Sequence, residues 1–268
     1  MAAHRTRAAS TDVVPTVPTV STVPAVPTTA ATRLLQVLGA FSAELPALGL
    51  TEIAAQTGLP KSTVHRLVAE LVDWGALERG SDRRYRIGLR VWELGTLAPR
   101  GRGLGDVAAP FLEDIRTATG QNALLGVLDG TETVYVQQLS GRGAIPMKIR
   151  VGSRLPVHAT GVGLALLASS PVALREEVLA SPLRRYTDRT VVDPRELRRI
   201  LAEVRRRGYA VSDRQVERIG MSVAAPVFDA AGVAAALSVV MPSGSDLRRF
   251  APVVVAASRG LTRALGGG

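Results

Sequence analysis

The fold is decided by the segment "LPKSTVHRLVAELVDWGALERGSDRRYRIG", from Leu59 to Gly88. Apolar residues recur at helical spacing in its first half and form one stripe: Val64, Leu67, Val68, Leu71 and Val72. The opposite face is small and polar near its start, so it could approach base edges in a major groove about 12 Å wide. We therefore predict a recognition helix whose DNA-contacting residues are Lys61, Ser62, Thr63, His65 and Arg66.

A short hairpin is predicted directly after this helix. The runs "ALERG" and "RYRIG" can pair across the turn "GSDR" and form a two-stranded wing. Such a wing would present basic side chains to DNA phosphates, namely Arg79, Arg83, Arg84 and Arg86.

Two more helices precede the recognition helix. Leu34, Val37, Leu38 and Phe41 recur at helical spacing from about Thr32. The segment "EIAAQT" predicts a second helix with Thr51 as its N-cap and Gly58 as a left-handed C-terminal residue. Together, residues 31–90 predict a winged helix-turn-helix domain that binds DNA.

Residues 1–30 repeat Val-Pro pairs among Thr and Ser, which favours polyproline II and predicts a disordered tail. The prolines interrupt any signal-peptide core, and no apolar run is long enough to span a membrane. The chain has no cysteine, which excludes disulfides and thiolate sites and fits a reducing compartment. We expect a cytoplasmic protein that does not bind a membrane.

The second half predicts a separate domain. Trp92, Leu94 and Leu97 continue a helix out of the wing, and "PRGRGLG" at 99–105 should break it, so residues 91–105 are interpreted as a linker. Residues 106–268 then predict, in order, a helix, three strands, several helices, three strands and a last helix. Asp129-Gly130 signals a hairpin, and "IPMKIRV" is predicted as the third strand. The fold class is α+β.

The segment "HATGVG", followed by an apolar helix, is the candidate ligand site. Small residues allow close approach to the backbone, and a helix N-terminus offers free N–H groups and a positive dipole end, so an anion is the natural ligand. Tight strand-to-helix packing without a ligand remains the alternative. The dinucleotide fingerprint is incomplete here, so no cofactor is expected.

The chain resembles the isocitrate lyase regulator (IclR) family of transcriptional regulators from Thr32 to its C-terminus. The resemblance rests on "GLPKSTVHRLVAEL", "YRIGLRVWELG", "VGSRLPVHATGVGLALLA", "RRGYAVSDRQVE" and "SVAAPVFDAAGVAAALSVV", in the family's order. It implies a GAF-like antiparallel-sheet domain that binds a small organic acid or aromatic metabolite. It also implies a homodimer or homotetramer. Because each subunit would present one recognition helix, a dimer should bind an inverted-repeat operator in double-stranded DNA.

Carried over by position, the family's effector site falls on Met147, placed on a strand, and on Leu155, Gly161, Val162, Asp213 and Ser222. The family often has a cysteine where Ser222 stands and acidic residues where Ser212, Arg214 and Gln215 stand. These departures suggest an effector that is more negatively charged or differently hydrogen-bonded.

We interpret the chain as a ligand-responsive regulator, expected to be a repressor. The alternatives are an enzyme with an appended DNA-binding domain, which could use His158, Asp213 and Ser222 as a triad, and a dimerising scaffold without a ligand. No catalytic motif supports the enzyme, and no histidine has partners at metal-ligand spacing. The net charge of +10 does not locate a DNA site, because residues 1–100 hold only 11 basic against 8 acidic residues.

Overall fold

The computed structural model describes residues 29–42, 44–98, 102–147 and 149–267. Its contacts divide the chain into two compact units, one ending at Gly88 and the other beginning at Leu89. Most of the predicted Val-Pro tail lies outside the described residues. Thr29 and Ala30 are described, and they are not tail: the Thr29 side chain caps the first helix, and Ala30 begins it.

The described residues of the first unit form three helices and a hairpin: α1 (Ala30–Gly39), α2 (Leu50–Thr57), α3 (Lys61–Trp74), β1 (Leu77–Arg79) and β2 (Tyr85–Ile87). The apolar stripe predicted for α3 is the buried one, since Val64, Leu67, Val68 and Leu71 are at most 3% exposed. This stripe packs against α1, α2 and β1. The predicted winged helix-turn-helix is confirmed.

The N-cap predicted for α2 was wrong. The cap is Gly49, and Thr51 lies inside the helix. Gly49 N donates to Glu52 Oε2 at 2.7 Å, so a carboxylate in the first turn satisfies the terminal N–H group instead of a threonine hydroxyl. The predicted C-terminal residue is confirmed, because Gly58 has a φ of 70°.

The second unit is a six-stranded antiparallel sheet with helices on both faces. Its elements are α4 (Leu89–Gly95), α5 (Arg102–Thr119), β3 (Asn122–Asp129), β4 (Glu132–Leu139), β5 (Arg154–Pro156), α6 (Gly161–Ser169), α7 (Val172–Ala180), α8 (Pro194–Arg207), β6 (Ala210–Asp213), β7 (Gly220–Asp229), β8 (Gly232–Pro242) and α9 (Leu247–Ala264). The strand order is β5-β4-β3-β8-β7-β6. Residues of α5 and α9 form the core on one face, and residues of α6 and α8 form it on the other.

Two predicted boundaries in this unit were wrong. The stretch 99–105 was predicted to break the helix, but α5 begins within it, at Arg102. Glycine permits a helix where packing favours it, and Leu104 packs against the α5–α9 core. In addition, "IPMKIRV" does not form the third strand: its described residues are irregular, and the edge position belongs to β5.

The described residues of the segment 145–151 are irregular for a physical reason. Ile145 O accepts a hydrogen bond from the buried side chain of Asn122 at 2.9 Å. The segment is therefore held to the sheet by a side-chain hydrogen bond and not by backbone pairing between strands. Gly152, with a φ of 87°, then turns the chain, and its N–H donates to Tyr135 O at 2.7 Å. Pairing with β4 therefore starts only after this turn. Met147 consequently lies in an irregular segment and not on a strand.

Candidate DNA-contact surface and effector cavity

The outer face of α3 is exposed at its N-terminal end. Four of the predicted DNA-contacting side chains, Lys61, Ser62, His65 and Arg66, are exposed, and Thr63 is half-buried. The N-cap residue Pro60 supplies no side-chain hydrogen bond, so the first N–H groups of α3 stay available to a phosphate. Arg66 forms an exposed ion pair with Glu70 at 2.6 Å. To bond a base edge, the Arg66 guanidinium would have to leave Glu70.

The four wing arginines differ in their contacts. Arg84 donates to Ala47 O at 2.8 and 3.1 Å and pairs with Glu52 at 2.7 Å, so it joins the wing to the residues around α2. Arg86 pairs with Asp82 at 2.6 Å and, chiefly through its hydrogen bonds, lowers the pKa of Asp82 to about 2. Arg83 is exposed and forms no ion pair within the described chain. Arg79 lies over the Tyr85 ring, 5.8 Å from its centroid.

The wing therefore divides into structural and available cations. Arg83 stands in the turn in the left-handed region, with a φ of 61°, which is uncommon for a non-glycine residue. Arg83 and Arg79 are free to approach a phosphate, whereas Arg84 and Arg86 are already paired. The sequence pattern identified four basic residues but could not separate these two roles.

A small cavity of about 60 Å³ lies in the second unit, between the sheet, the start of α6 and the loop before β7. Its lining combines apolar side chains with hydroxyl and amide groups and one carboxylate, that of Glu217: Tyr135, Met147, Ile149, Thr160, Val162, Ser212, Gln215, Val216, Glu217, Gly220, Met221, Ser222, Ser238 and Val240. No arginine, lysine or histidine is among these described lining residues. A ligand would therefore be held by neutral donors.

The N-terminus of α6 forms one wall of this cavity. Thr160 caps the helix by accepting from Gly163 N at 2.9 Å, so the N–H groups of Gly161 and Val162 have no intrahelical acceptor. A side chain at Gly161 would place its Cβ only 2.6 Å from Ser222 Oγ. Glycine at this position thus allows α6 to lie directly against β7.

Strand register brings three serines of the lining onto one face of the sheet. Ser212 lies opposite Ser222, and Ser222 lies opposite Val240. Ser238, two residues before Val240 on β8, faces the same side. The Ser212 hydroxyl donates to Ala159 O at 2.8 Å, whereas Ser238 Oγ is buried and has no hydrogen-bond partner among the described residues. The cavity thus contains an unsatisfied buried hydroxyl.

Tyr135 adds a second buried polar group. Its side chain is 3% exposed, and burial raises the pKa of its phenol, although a hydrogen bond with Thr160 acts in the opposite direction. The phenol therefore stays protonated and can only act as a neutral hydrogen-bonding group.

The structure brings together some of the predicted effector residues and separates others. Met147, Val162 and Ser222 line the cavity. Gly161 lies directly against Ser222, one of these lining residues. Leu155 is buried in the apolar core beside α6 but does not line the cavity. Asp213 faces away from it and bonds Ser243 Oγ at 2.7 Å. Burial raises the pKa of Asp213, but hydrogen bonds from Ser243 and Arg214 outweigh this and lower it.

Sequence reasoning missed Tyr135 and Ser238. It singled out the segment that contains Thr160 and noted that Gln215 departs from the family, but it did not place either side chain in the site. Thr160 carried a local signal, since it directly precedes an apolar helix as an N-cap does. Tyr135 and Ser238 sit on strands whose register comes from distant pairing, and no local pattern reveals it.

A wider, open cleft of about 580 Å³ lies on the other side of Met147 and Ile149. Asn122, Gln138 and Ser140 contribute polar groups to its wall. We place the candidate effector site in the smaller cavity, because only there do buried hydroxyl groups and a helix N-terminus converge.

The structure does not assemble the triad considered from sequence. His158 bonds the backbone oxygen of Arg184 at 3.0 Å, and Asp213 bonds Ser243 and Arg214, so neither orients Ser222. Within the described ranges, no three His, Cys, Asp or Glu side chains cluster as metal ligands. Likewise, none of the described helices is long and apolar enough to cross a membrane.

Comparison with known proteins identifies both units. Residues 30–81 match the IclR helix-turn-helix domain, and residues 100–261 match the domain described as "Bacterial transcriptional regulator IclR C-terminal". The chain belongs to the IclR family. Its members among the relatives are transcriptional regulators, and the enzyme alternative finds no support.

Two curated relatives illustrate the similarity of this IclR-family chain. The regulator BhcR of Paracoccus denitrificans is 35% identical over 238 residues, covering 86% of this chain and 85% of the relative. The transcriptional repressor IclR of Escherichia coli is 31% identical over 249 residues, covering 88% and 89%.

Solved IclR-family structures also match the chain. An IclR homologue from Microbacterium hydrocarbonoxydans in complex with 4-hydroxybenzoate is 37% identical, with a TM-score of 0.82, covering 88% of this chain and 99% of that one. A regulator from Rhodococcus is 28% identical, with a TM-score of 0.76, covering 88% and 97%. The chain is therefore a DNA-binding transcriptional regulator with a winged helix-turn-helix domain followed by an IclR C-terminal domain.

Proposed function

We propose that this regulator is a repressor that releases its operator when a small organic or aromatic acid enters the cavity beside α6. The observation that carries the proposal is the Ser238 hydroxyl, which is 1% exposed and unpartnered in a cavity lined by further polar groups. A buried hydroxyl without a partner costs about 1 to 3 kcal/mol, so a ligand that bonds it gains affinity. We assign the helix-turn-helix and wing, residues 30–88, to DNA binding, and the unit that begins at Leu89 to the linker helix α4 and the effector domain that starts with α5.

The acid group fits the N-terminus of α6. The free N–H groups of Gly161 and Val162 and the positive end of the helix dipole favour an anion, and Ser222 can donate from the facing strand. The Microbacterium homologue was crystallised with 4-hydroxybenzoate, which supports an aromatic acid as one candidate class.

Binding requires the cavity to enlarge. Its volume of about 60 Å³ is far below the roughly 300 Å³ at the lower end of typical ligand sites. Met147 and Ile149 are half-buried and separate the cavity from the open cleft. Methionine is flexible, so Met147 is the side chain best suited to move aside.

On the DNA side, we propose that Lys61, Ser62, Thr63, His65 and Arg66 face the major groove, while Arg79 and Arg83 contact phosphates. Each subunit carries one recognition helix. A homodimer, or a homotetramer built from two dimers, would therefore bind an inverted repeat with half-sites about one helical turn apart. Such a protein acts on chromosomal DNA in the cytoplasm.

Footprinting tests this function. The purified chain is bound to the promoter nearest its own gene, and protection is measured with and without a panel of organic and aromatic acids. We expect a symmetric protected site that is lost with one acid of the panel. Protection of a single asymmetric half-site contradicts the dimer, and protection that no member of the panel alters contradicts the effector role.

A further inference from the structure

Gln215 occupies an unusual position in the cavity wall. The residue is 7% exposed and lines the cavity from the loop between β6 and β7. Its Oε1 accepts from Val191 N at 3.3 Å. Only the oxygen of a carboxamide can accept from an N–H group, so this bond sets the amide's orientation. No described residue accepts a hydrogen bond from its Nε2.

The loop that carries Gln215 is held from outside by two buried threonines. Thr187 Oγ1 donates to Arg214 O, and Thr190 Oγ1 donates to Gln215 O, both at 2.6 Å. Thr190 Oγ1 also accepts from Thr187 N at 2.8 Å, so the two threonines form one network.

Arg214 precedes Gln215 in a left-handed conformation, with a φ of 55°. Such a backbone is costly for a non-glycine residue and persists only where surrounding contacts enforce it. Arg214 N donates to Gly220 O at 2.9 Å, which closes the loop at its other end. The backbone of Arg214 and Gln215 is thus fixed, and the bond from Val191 N orients the Gln215 carboxamide at the cavity wall.

We propose that Gln215 selects the charge of the effector: its Nε2 donates to an anionic group, and the Thr187–Thr190 network is the positioning element. The inference rests on the proposed effector function. The described lining contains no cation and one carboxylate, that of Glu217, which opposes an anion. The donors that the lining offers to an anion are therefore neutral, and Gln215 Nε2 is one of them. Hydrogen bonds to a charged acceptor are about twice as strong as neutral ones, so a carboxylate should bind better than its amide.

The substitution Gln215→Glu tests this with minimal change of shape. A glutamate can still accept from Val191 N, but it removes the Nε2 donor and adds a negative charge beside the ligand. Gln215→Met, which has similar length and neither donor nor charge, is the matched control.

Calorimetric titration of the full chain uses matched pairs of acid and amide: benzoate with benzamide, 4-hydroxybenzoate with 4-hydroxybenzamide, and lactate with lactamide. We expect the unsubstituted protein to bind at least one acid ten-fold or more tightly than its amide. Gln215→Glu should abolish or reverse this preference, and Gln215→Met should reduce it. An unchanged acid-to-amide ratio in Gln215→Glu overturns the proposal. So does an unsubstituted protein that shows no acid preference, or that binds no member of any pair.

The positioning element has its own readout. Thr190→Val removes the bond to Gln215 O and should lower the acid-to-amide ratio several-fold, while Thr190→Ser should restore it. A merely structural role would lower the melting temperature and leave that ratio unchanged, which would overturn the positioning role.

The outcome for Gln215 is separable from that for the proposed function. Operator release by a neutral ligand would retain the regulatory function and overturn the charge selection. The opposite result is an acid preference that depends on Gln215 in a protein whose operator complex never responds to a ligand. It would retain the charge selection by Gln215 and overturn the proposed regulatory function.

Discussion

Arg84 in the wing donates two hydrogen bonds to the backbone oxygen of Ala47, in the connection between α1 and α2. The two residues are 37 positions apart in the sequence. Arg84 was predicted to contact a DNA phosphate, but in the structure it connects two parts of the DNA-binding domain. The same guanidinium also pairs with Glu52 in the first turn of α2.

Arg84→Ala should therefore destabilise the DNA-binding domain. We expect a loss of about 1 kcal/mol in the free energy of unfolding, because the Ala47 oxygen loses its donors. Urea unfolding measures this. Arg83→Ala is the control, and equal stability of the two variants would refute the structural role of Arg84.

Arg83→Ala should weaken binding to every DNA sequence about equally. A phosphate contact carries no base information, and its loss should reduce the slope of log K against log salt by about 0.9. Fluorescence anisotropy on operator and random duplexes over a salt series measures both quantities. A loss confined to the operator would mean that Arg83 does not act on the backbone.

Arg66→Ala should weaken operator binding by about 1 to 3 kcal/mol and leave binding to random DNA nearly unchanged, if Arg66 contacts a base edge. Glu70→Ala serves as the control because it breaks the Arg66–Glu70 ion pair and leaves the guanidinium in place. An equal loss of affinity for random DNA would remove the base-reading role.

Gly161→Ala should destabilise the effector domain through Ser222. The added Cβ would lie 2.6 Å from Ser222 Oγ but 3.4 Å from Ser222 Cβ, so removing the hydroxyl should relieve most of the clash. We expect Gly161→Ala to lower the melting temperature clearly in the native background and only slightly in Ser222→Ala. Additive effects in this double-mutant cycle would exclude direct contact.

His158 should make stability depend on pH. It is 3% exposed, and burial lowers its pKa even though a hydrogen bond to Arg184 O raises it. A histidine with a lowered folded pKa contributes stability above its unfolded value of about 6.5, and this is lost as pH falls below that value. The melting temperature should drop between pH 7.5 and 5.5, and His158→Gln should flatten that drop. An equal drop in both proteins would assign the effect to other groups.

Local sequence pattern was enough to predict several elements of both units. The apolar stripe of α3, the left-handed residue at Gly58 and the hairpin turn at Asp129-Gly130 each depend on neighbours within a few residues, and the structure has all three. Helical period and turn chemistry are properties of short segments, so the sequence by itself determined these elements.

Tertiary structure alone decided the effector cavity. Ser212, Ser222 and Ser238 share a face because β6, β7 and β8 pair in one register, and Asp213 faces away because side chains alternate along a strand. The same holds for the described residues of 145–151. Their sequence predicted a strand, but the Asn122 side chain binds the backbone at Ile145 and no ladder forms there. Strand register and the hydrogen-bond partners of buried side chains depend on residues far apart in the sequence. No local sequence pattern could therefore have predicted either of them.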